Sequence, residues 1–161
     1  MARRPVRVYA DTSVYGGVFE EEVRRSSTVF FDQVRGGHFE LVISALCQDE
    51  IAGAPAEVRE HFDGLVRTQG ITPVPPAAIA LRNAYVKAGI VGAAHGADAL
   101  HVAIASVARC VFIVSWNFRH IVHYDKVALY NATNVAEGYT PIGIFAPPEV
   151  IGYDETEEEG L

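Results

Sequence analysis

The sequence lacks the features that mark disulfide-stapled, zinc-binding or membrane-spanning proteins. Its two cysteines, Cys47 and Cys110, lie far apart among apolar neighbours, which excludes a disulfide framework and predicts two reduced core thiols. No run approaches the roughly 18 uncharged apolar residues that a membrane-spanning helix needs. The apolar run behind the basic start breaks at Asp11, so it does not resemble a signal peptide. We therefore expect a cytoplasmic protein with no membrane partner.

Several motifs of common enzymes are also missing. No Gly-x-Gly-x-x-Gly or Gly-Lys-Ser/Thr loop follows a predicted strand, which excludes dinucleotide and P-loop sites. No Gly-x-Ser-x-Gly elbow is present, so an α/β-hydrolase is excluded. Both cysteines lie in mainly apolar runs, with Arg109 as the one basic residue next to either, so we expect neither to be a nucleophilic thiol.

Positive charge is scarce as well, with 13 basic against 20 acidic residues and a formal net charge of −7. Five of the acidic residues lie between 154 and 159, and without them the formal charge is −2. A protein that holds nucleic acid by bulk charge is basic, so a nuclease of this composition would need a metal, a local basic patch or a partner. We expect one domain over residues 1–150 and an acidic, disordered tail over 151–161.

Strand-like and helix-like segments alternate along the chain. The predicted strands cover residues 6–10, 39–43 and 111–115, with a short candidate at 71–74 and an edge strand at 141–145. The predicted helices cover residues 27–35, 45–51, 56–68, 76–88, 98–108 and 126–136. Ser26 or Ser27 is the expected N-cap of the first helix, and Ser44 that of the second. The alternation predicts an α/β fold, a three-layer α/β/α sandwich with a mostly parallel central sheet.

Three acidic residues lie where such a fold would bring them together. Asp11 ends the first strand, Glu50 lies on the helix after the second strand, and Asp98 opens an apolar helix. Ser115 and Asn117 follow the third strand. Ligands bind at the carboxyl edge of a parallel sheet, and clustered carboxylates repel one another unless a cation neutralises them. The pattern predicts a hard divalent metal ion and chemistry on phosphate oxygens.

Each acidic residue also has a plainer interpretation. Asp11 is followed by Thr12 and Ser13, whose hydroxyls and amides can contact a phosphate, but an Asp at this position can equally cap the next turn. Asp98 can serve only to complement the dipole of its helix.

The phase of the third helix separates Glu50 from Asp49. Leu46 and Cys47 lie four and three residues before Glu50, which places Glu50 towards the packed side and Asp49 towards solvent. The alternative for Glu50 is an ion pair on the helix surface.

The remaining polar candidates are less specific. His101 can lie beside the metal or contact a phosphate, but we favour a buried histidine whose hydrogen bond goes to a backbone carbonyl. Asn117 can ligate a cation or position a water, or it can be a turn residue. Ser115 can orient the site. Arg119, with His120 and His123, can contact nucleic-acid phosphates or cap a short helix, whereas Trp116 is expected to pack.

The order of these segments resembles the PIN domain, the fold of the VapC-type toxins of bacterial toxin–antitoxin pairs. The matching segments are residues 8–15, 44–51, 97–103 and 113–120. The resemblance implies a PIN-like fold and an endoribonuclease that depends on Mg²⁺ or Mn²⁺. It also implies an RNA substrate, a cognate antitoxin protein and a homodimer.

The resemblance further implies roles for individual residues. Asp11, Glu50 and Asp98 match the family's acidic residues, with Asp11 and Asp98 as direct or water-bridged metal ligands and Glu50 as a ligand or base. Asn117 stands where the family usually has a fourth acid, two positions after a Ser or Thr, here Ser115. This departure favours a second hypothesis, a PIN-fold module that has lost robust catalysis and binds RNA or a partner protein. A third, a metal-dependent phosphatase of the haloacid-dehalogenase type, would need an acid where Ser13 stands, and we rank it last.

Overall fold

Four parallel strands flanked by helices form the centre of the molecule in the computed structural model, which describes residues 4–152. The strands are β1 (Val6–Ala10), β2 (Phe39–Val42), β3 (Phe112–Val114) and β4 (Gly143–Phe145), and their order in the sheet is β2-β1-β3-β4. Each neighbouring pair is parallel. The predicted α/β sandwich with a parallel central sheet is therefore confirmed.

Strand β1 is central because its apolar residues can be covered on both sides. Val8 pairs with Leu41 of β2 and with Phe112 of β3, and Val8 and Tyr9 are fully buried. Beyond the strand, the Asp11 amide donates to the Val114 carbonyl at 3.1 Å. The carboxyl ends of β1 and β3 therefore lie side by side, as parallel pairing requires.

The described residues also form seven helices and two short 3₁₀ helices. The seven are α1 (Thr12–Gly17), α2 (Arg24–Arg35), α3 (Ala45–Ile51), α4 (Ala56–Gln69), α5 (Pro76–Lys87), α6 (Gly96–Val107) and α7 (Tyr124–Ala136). The 3₁₀ helices are Ala93–His95 and Pro147–Glu149. Helix α6 is buried from Ala99 to Ser106, as its apolar sequence predicts.

The start of α2 corrects one prediction. The helix begins at Arg24, so Ser26 and Ser27 lie inside it, and neither is the N-cap. The Ser27 hydroxyl instead accepts a hydrogen bond from Trp116 Nε1 at 2.9 Å. By contrast, Ser44 caps α3 as predicted, since its Oγ accepts from the Cys47 amide at 3.2 Å.

Other differences from the predictions concern residues 71–74, strand β4 and helix α1. Residues 71–74 form no strand, because the parallel pairing there is a single bridge between Ser44 and Thr72. Strand β4 begins at Gly143 rather than at 141, since the Ile142 amide donates to Asn131 Oδ1 at 2.7 Å instead of to the sheet. Helix α1 follows β1 directly and was not predicted.

The described chain ends in contact with the body of the protein. Ile151 packs against the core, and Gly152 exchanges two hydrogen bonds with the Gln33 side chain, at 3.0 and 3.1 Å. The rest of the predicted acidic tail, residues 153–161, lies outside the described residues. Both cysteines are free and buried, as predicted. Within residues 4–152, no helix has the length and apolar character to cross a bilayer.

Candidate functional site

Asp11 lies at the carboxyl end of the central strand, in the N-cap position of α1. Its side chain makes no capping hydrogen bond, so the capping interpretation does not describe it. Instead, Asp11 Oδ1 accepts from the Ser13 hydroxyl at 2.5 Å, and Ser13 Oγ accepts from the Trp116 amide at 3.0 Å. Asp11 is only 4% exposed, and the hydrogen bond from its amide to the Val114 carbonyl fixes its backbone beside the end of β3.

The charge of Asp11 is unfavourable where the fold places it. Burial raises the pKa of Asp11, and the negative charge of Asp98 raises it further. His101 and the hydroxyls of Ser13 and Ser115 act in the opposite direction but do not cancel the rise. A cation bound here would offset both the burial and the repulsion.

Glu50 faces the same region from α3. Its Oε1 accepts from the Thr12 hydroxyl at 2.7 Å and lies 2.6 Å from His101 Nε2. Asp49 and Glu50 are both exposed residues, and the Glu50 side chain is 35% exposed, but the Glu50 carboxylate contacts Thr12 and His101. Glu50 therefore points towards Thr12 and His101, as helical phase predicted, but it is not buried.

His101 is buried, as predicted, but its partners are side chains rather than a backbone carbonyl. Its Nδ1 lies 2.6 Å from the Tyr9 hydroxyl, which lies 2.8 Å from Ser44 Oγ. Burial lowers the pKa of His101, but hydrogen bonds to Cys47 and Glu50 outweigh it and raise this pKa to about 10. A protonated imidazole donates to Glu50 from one nitrogen and to Tyr9 from the other.

The same contacts keep Glu50 ionised. Burial raises the pKa of Glu50, while the hydrogen bonds from His101 and Thr12 lower it, and the net shift is downward. A carboxylate with a lowered pKa is a weak proton acceptor. The ionised Glu50 carboxylate is therefore better suited to holding a cation or a water molecule than to acting as a general base.

Asp98 lies in the first turn of α6 and is close to two histidines. Its Oδ2 is 3.9 Å from His95 Nδ1, and the His95 and His120 rings stack with centroids 3.9 Å apart. Among residues 4–152, these three form the one group of His, Cys, Asp or Glu residues whose ligand atoms all lie within 4.8 Å of one another. Asp11 and Glu50 do not belong to this group. The three predicted acidic residues therefore do not come as close together as His95, Asp98 and His120 do.

The two histidines of this group were not predicted as ligands. His95 stands three residues before Asp98, a spacing that places both at the start of one helix. His120 was expected to contact phosphate or to cap a helix. Burial, together with the charge of His95, lowers the pKa of His120.

The segment after β3 is organised by its own polar side chains. Ser115 is buried and accepts from the Asn117 amide at 2.9 Å. Asn117 Oδ1 accepts from the amides of Arg119 and His120, at 3.2 and 2.9 Å. The side-chain oxygen of Asn117 therefore stabilises a turn, in agreement with the turn interpretation, and no second carboxylate accompanies Asp11 from this strand end.

Two open grooves border the predicted substrate contacts. Thr12 and Ser13 line one of about 360 Å³ between α1, α3 and α4, with Phe19 and Ile51 among its apolar walls. Arg119 lines a different groove, together with His123, Tyr124, Asp125, Lys126, Ala128 and Leu129. Thr12 and Ser13 thus line one surface and Arg119 another, while Ser115 is buried.

Comparison with protein-family models and with curated proteins finds no match to this sequence.

Proposed function

We propose that this protein is a metal-dependent endoribonuclease of the PIN type, the toxin of a toxin–antitoxin pair that acts in the cytoplasm. The observation that carries the proposal is the environment of Asp11. This carboxylate is buried at the ligand-binding edge of the sheet, and the charge of Asp98 is near enough to raise its pKa. The RNA substrate, the antitoxin and the homodimer rest on the resemblance to the PIN domain.

The residues of the site fit a hard divalent cation. Asp11 and Asp98 would hold Mg²⁺ or Mn²⁺ through carboxylate oxygens, the donors that these ions prefer. When bound, such an ion acidifies a coordinated water and stabilises negative charge on a phosphate group. Ser13 holds the Asp11 carboxylate in place, which limits how far this ligand can move.

Glu50 would add a third charge on the open side of the site. Thr12 and His101 hold it from two directions, so a water or cation beside it would meet a preoriented oxygen. The Thr12 and Ser13 hydroxyls donate to Glu50 and Asp11, so an RNA phosphate at the edge of their groove would be bound through the metal ion. Because the body of the protein is weakly acidic, we expect RNA affinity to depend on the metal rather than on bulk charge.

The test is RNA cleavage by the purified full-length protein. A pool of single-stranded and structured RNAs is incubated with Mg²⁺, Mn²⁺ or EDTA, and wild type is compared with Asp11→Asn and with Asp49→Asn. The Asp49 variant removes the same charge from an exposed position on α3. We expect metal-dependent cleavage that Asp11→Asn abolishes and Asp49→Asn retains. Cleavage that continues in EDTA, or in Asp11→Asn, would contradict the proposal.

Asn117 supports a second candidate, a PIN-fold module that binds RNA or a partner protein with little catalysis. The side-chain oxygen of Asn117 already accepts two amide hydrogen bonds, and the residue brings no charge to the site. In this case wild type would bind metal without cleaving RNA, and Asn117→Asp would gain metal affinity and cleavage. If Asn117→Asp gained neither metal affinity nor cleavage, Asn117 would not account for the weak catalysis.

A further inference from the structure

His95, Asp98 and His120 come from three separate segments that meet beside the carboxyl edge of the sheet. His95 ends the 3₁₀ helix Ala93–His95, Asp98 lies in the first turn of α6, and His120 lies in the turn after β3. Their ligand atoms all lie within 4.8 Å of one another. The fold therefore places two imidazoles and one carboxylate on a single small surface.

This combination of donors differs in kind from an all-oxygen site. Imidazole nitrogen with carboxylate oxygen suits Zn²⁺, Co²⁺ and related transition metals, whereas Mg²⁺ prefers oxygen ligands alone. Three protein ligands with a fourth position open to water also match the usual composition of an accessible zinc site.

The separations of the ligand atoms are close to those that a bound ion would require, and binding would turn the stacked His95 and His120 rings until a nitrogen of each points at the ion. With metal–ligand bonds of about 2.1 Å, the ligand atoms of a tetrahedral site lie about 3.4 Å apart. The His95–Asp98 pair is already at 3.9 Å. The His95 side chain is 46% exposed and that of Asp98 is 28% exposed, so rotation of side chains can close the remaining distance without moving the backbone.

We propose that His95, Asp98 and His120 form a binding site for a transition-metal ion of the Zn²⁺ or Co²⁺ type, distinct from the acidic site at Asp11 and Glu50. The site shares Asp98 with the proposed nuclease centre. A consequence, which rests on the proposed function, is that Zn²⁺ bound to the histidines withdraws Asp98 from the acidic site and inhibits Mg²⁺-dependent cleavage.

Cobalt binding tests the site without reference to catalysis. Untagged, metal-free, full-length protein is titrated with Co²⁺, and visible absorption reports the ligands and the coordination number. Wild type is compared with His95→Ala and His120→Ala, and with His38→Ala, which removes an exposed histidine outside the group. We expect one bound Co²⁺ per chain, with affinity at least about tenfold lower in His95→Ala and His120→Ala and unchanged in His38→Ala.

Two results would overturn the proposal. One is equal Co²⁺ affinity in wild type and in both histidine variants, which would show that the ring stacking is only a surface contact. The other is loss of Co²⁺ binding in Asp11→Asn with retention in His95→Ala and His120→Ala, which would place the ion in the acidic site. Circular dichroism of each variant checks that the fold is intact.

The Co²⁺-binding test can succeed or fail independently of the test of the nuclease proposal. Histidine-dependent Co²⁺ binding with no RNA cleavage in Mg²⁺ would support the site and contradict the nuclease. Metal-dependent cleavage with histidine-independent Co²⁺ binding would do the reverse. If both proposals hold, Zn²⁺ should inhibit Mg²⁺-dependent cleavage by wild type, and it should inhibit His95→Ala at least about tenfold less strongly at the same concentration.

Discussion

The buried His101 should make the stability of this protein fall as the pH rises through the neutral range. Its imidazole lies between Glu50 and Tyr9 at 2.6 Å from each. In the folded protein its pKa is raised to about 10, from an ordinary value of 6.5. Folding therefore retains a proton that the unfolded chain releases above its own pKa.

The sign and size of the effect follow from proton linkage. The stabilisation is fully present below pH 6.5, where His101 is protonated in both states, and it is lost as the pH rises towards the folded pKa of about 10. The limiting slope is about 1.4 kcal/mol per pH unit. Between pH 6.5 and 8.5 the free energy of unfolding should fall by roughly 2 kcal/mol from this group.

Other titrating groups set the limits of this window. Burial lowers the pKa of His61 to about 4, so His61 makes stability rise with pH below 6.5. Burial raises the pKa of Cys110 to about 12, which adds a further loss where unfolded cysteine ionises, above about pH 8.5. His101 therefore dominates between these limits.

Urea unfolding in EDTA at pH 6.5, 7.5 and 8.5 measures the effect. His101→Gln should lower stability by about 2 kcal/mol at pH 6.5, because it removes the charged partner of Glu50, and it should flatten the pH dependence. His38→Gln, at an exposed position, should keep the wild-type slope. A flat wild-type profile, or a parallel profile in His101→Gln, would refute the reasoning, and imidazole ¹⁵N shifts would show the protonation state directly.

Three other substitutions test the site and its support. Since burial raises the pKa of Asp11, Asp11→Asn should stabilise the metal-free protein at pH 7, and it should remove the rise in Tm that we expect Mg²⁺ to cause in wild type. A destabilised variant would show that the negative charge is needed for folding. Asp98→Asn should abolish metal-dependent RNA cleavage with an unchanged circular dichroism spectrum, and retained activity would remove Asp98 from the site. Gly17→Ala would place Cβ at 2.5 Å from Ser27 Oγ and should cost about 1–3 kcal/mol in urea unfolding, whereas Gly53→Ala, with nothing within 4 Å, should not.

The two serine caps show which parts of the fold could be predicted from sequence. Ser44 was assigned correctly because its partner, the Cys47 amide, lies three residues away, within reach of a local pattern. Ser27 was assigned wrongly because the helix begins three residues earlier, at Arg24, and the Ser27 hydroxyl binds Trp116, just beyond the end of β3. Local hydrogen bonding can be inferred from spacing, while a tertiary partner that overrides it cannot.

The candidate site also has features that local sequence predicts and tertiary contacts that it does not. The orientation of Glu50 follows from helical phase, and the approach of Asp11 to Ser115 follows from parallel strands that share an edge. The stacking of His95 on His120 depends on how the turn after β3 meets the start of α6, which no periodicity encodes. The same holds for Tyr9, a core residue of β1 whose hydroxyl reaches His101.

The strand order also determines when the site can exist during synthesis of the chain. Strand β1 can pair with β2 early, but its other neighbour, β3, is not made until residues 112–114 have emerged. Such a topology has a high contact order and folds slowly, because distant segments must meet before they are stabilised. A nascent chain would therefore hold Asp11 beside a half-formed sheet, with one apolar edge uncovered. Only once α6 and β3 have docked do Asp11 and Asp98 come near enough to interact, so the proposed metal site would form only after most of the described residues have been synthesised.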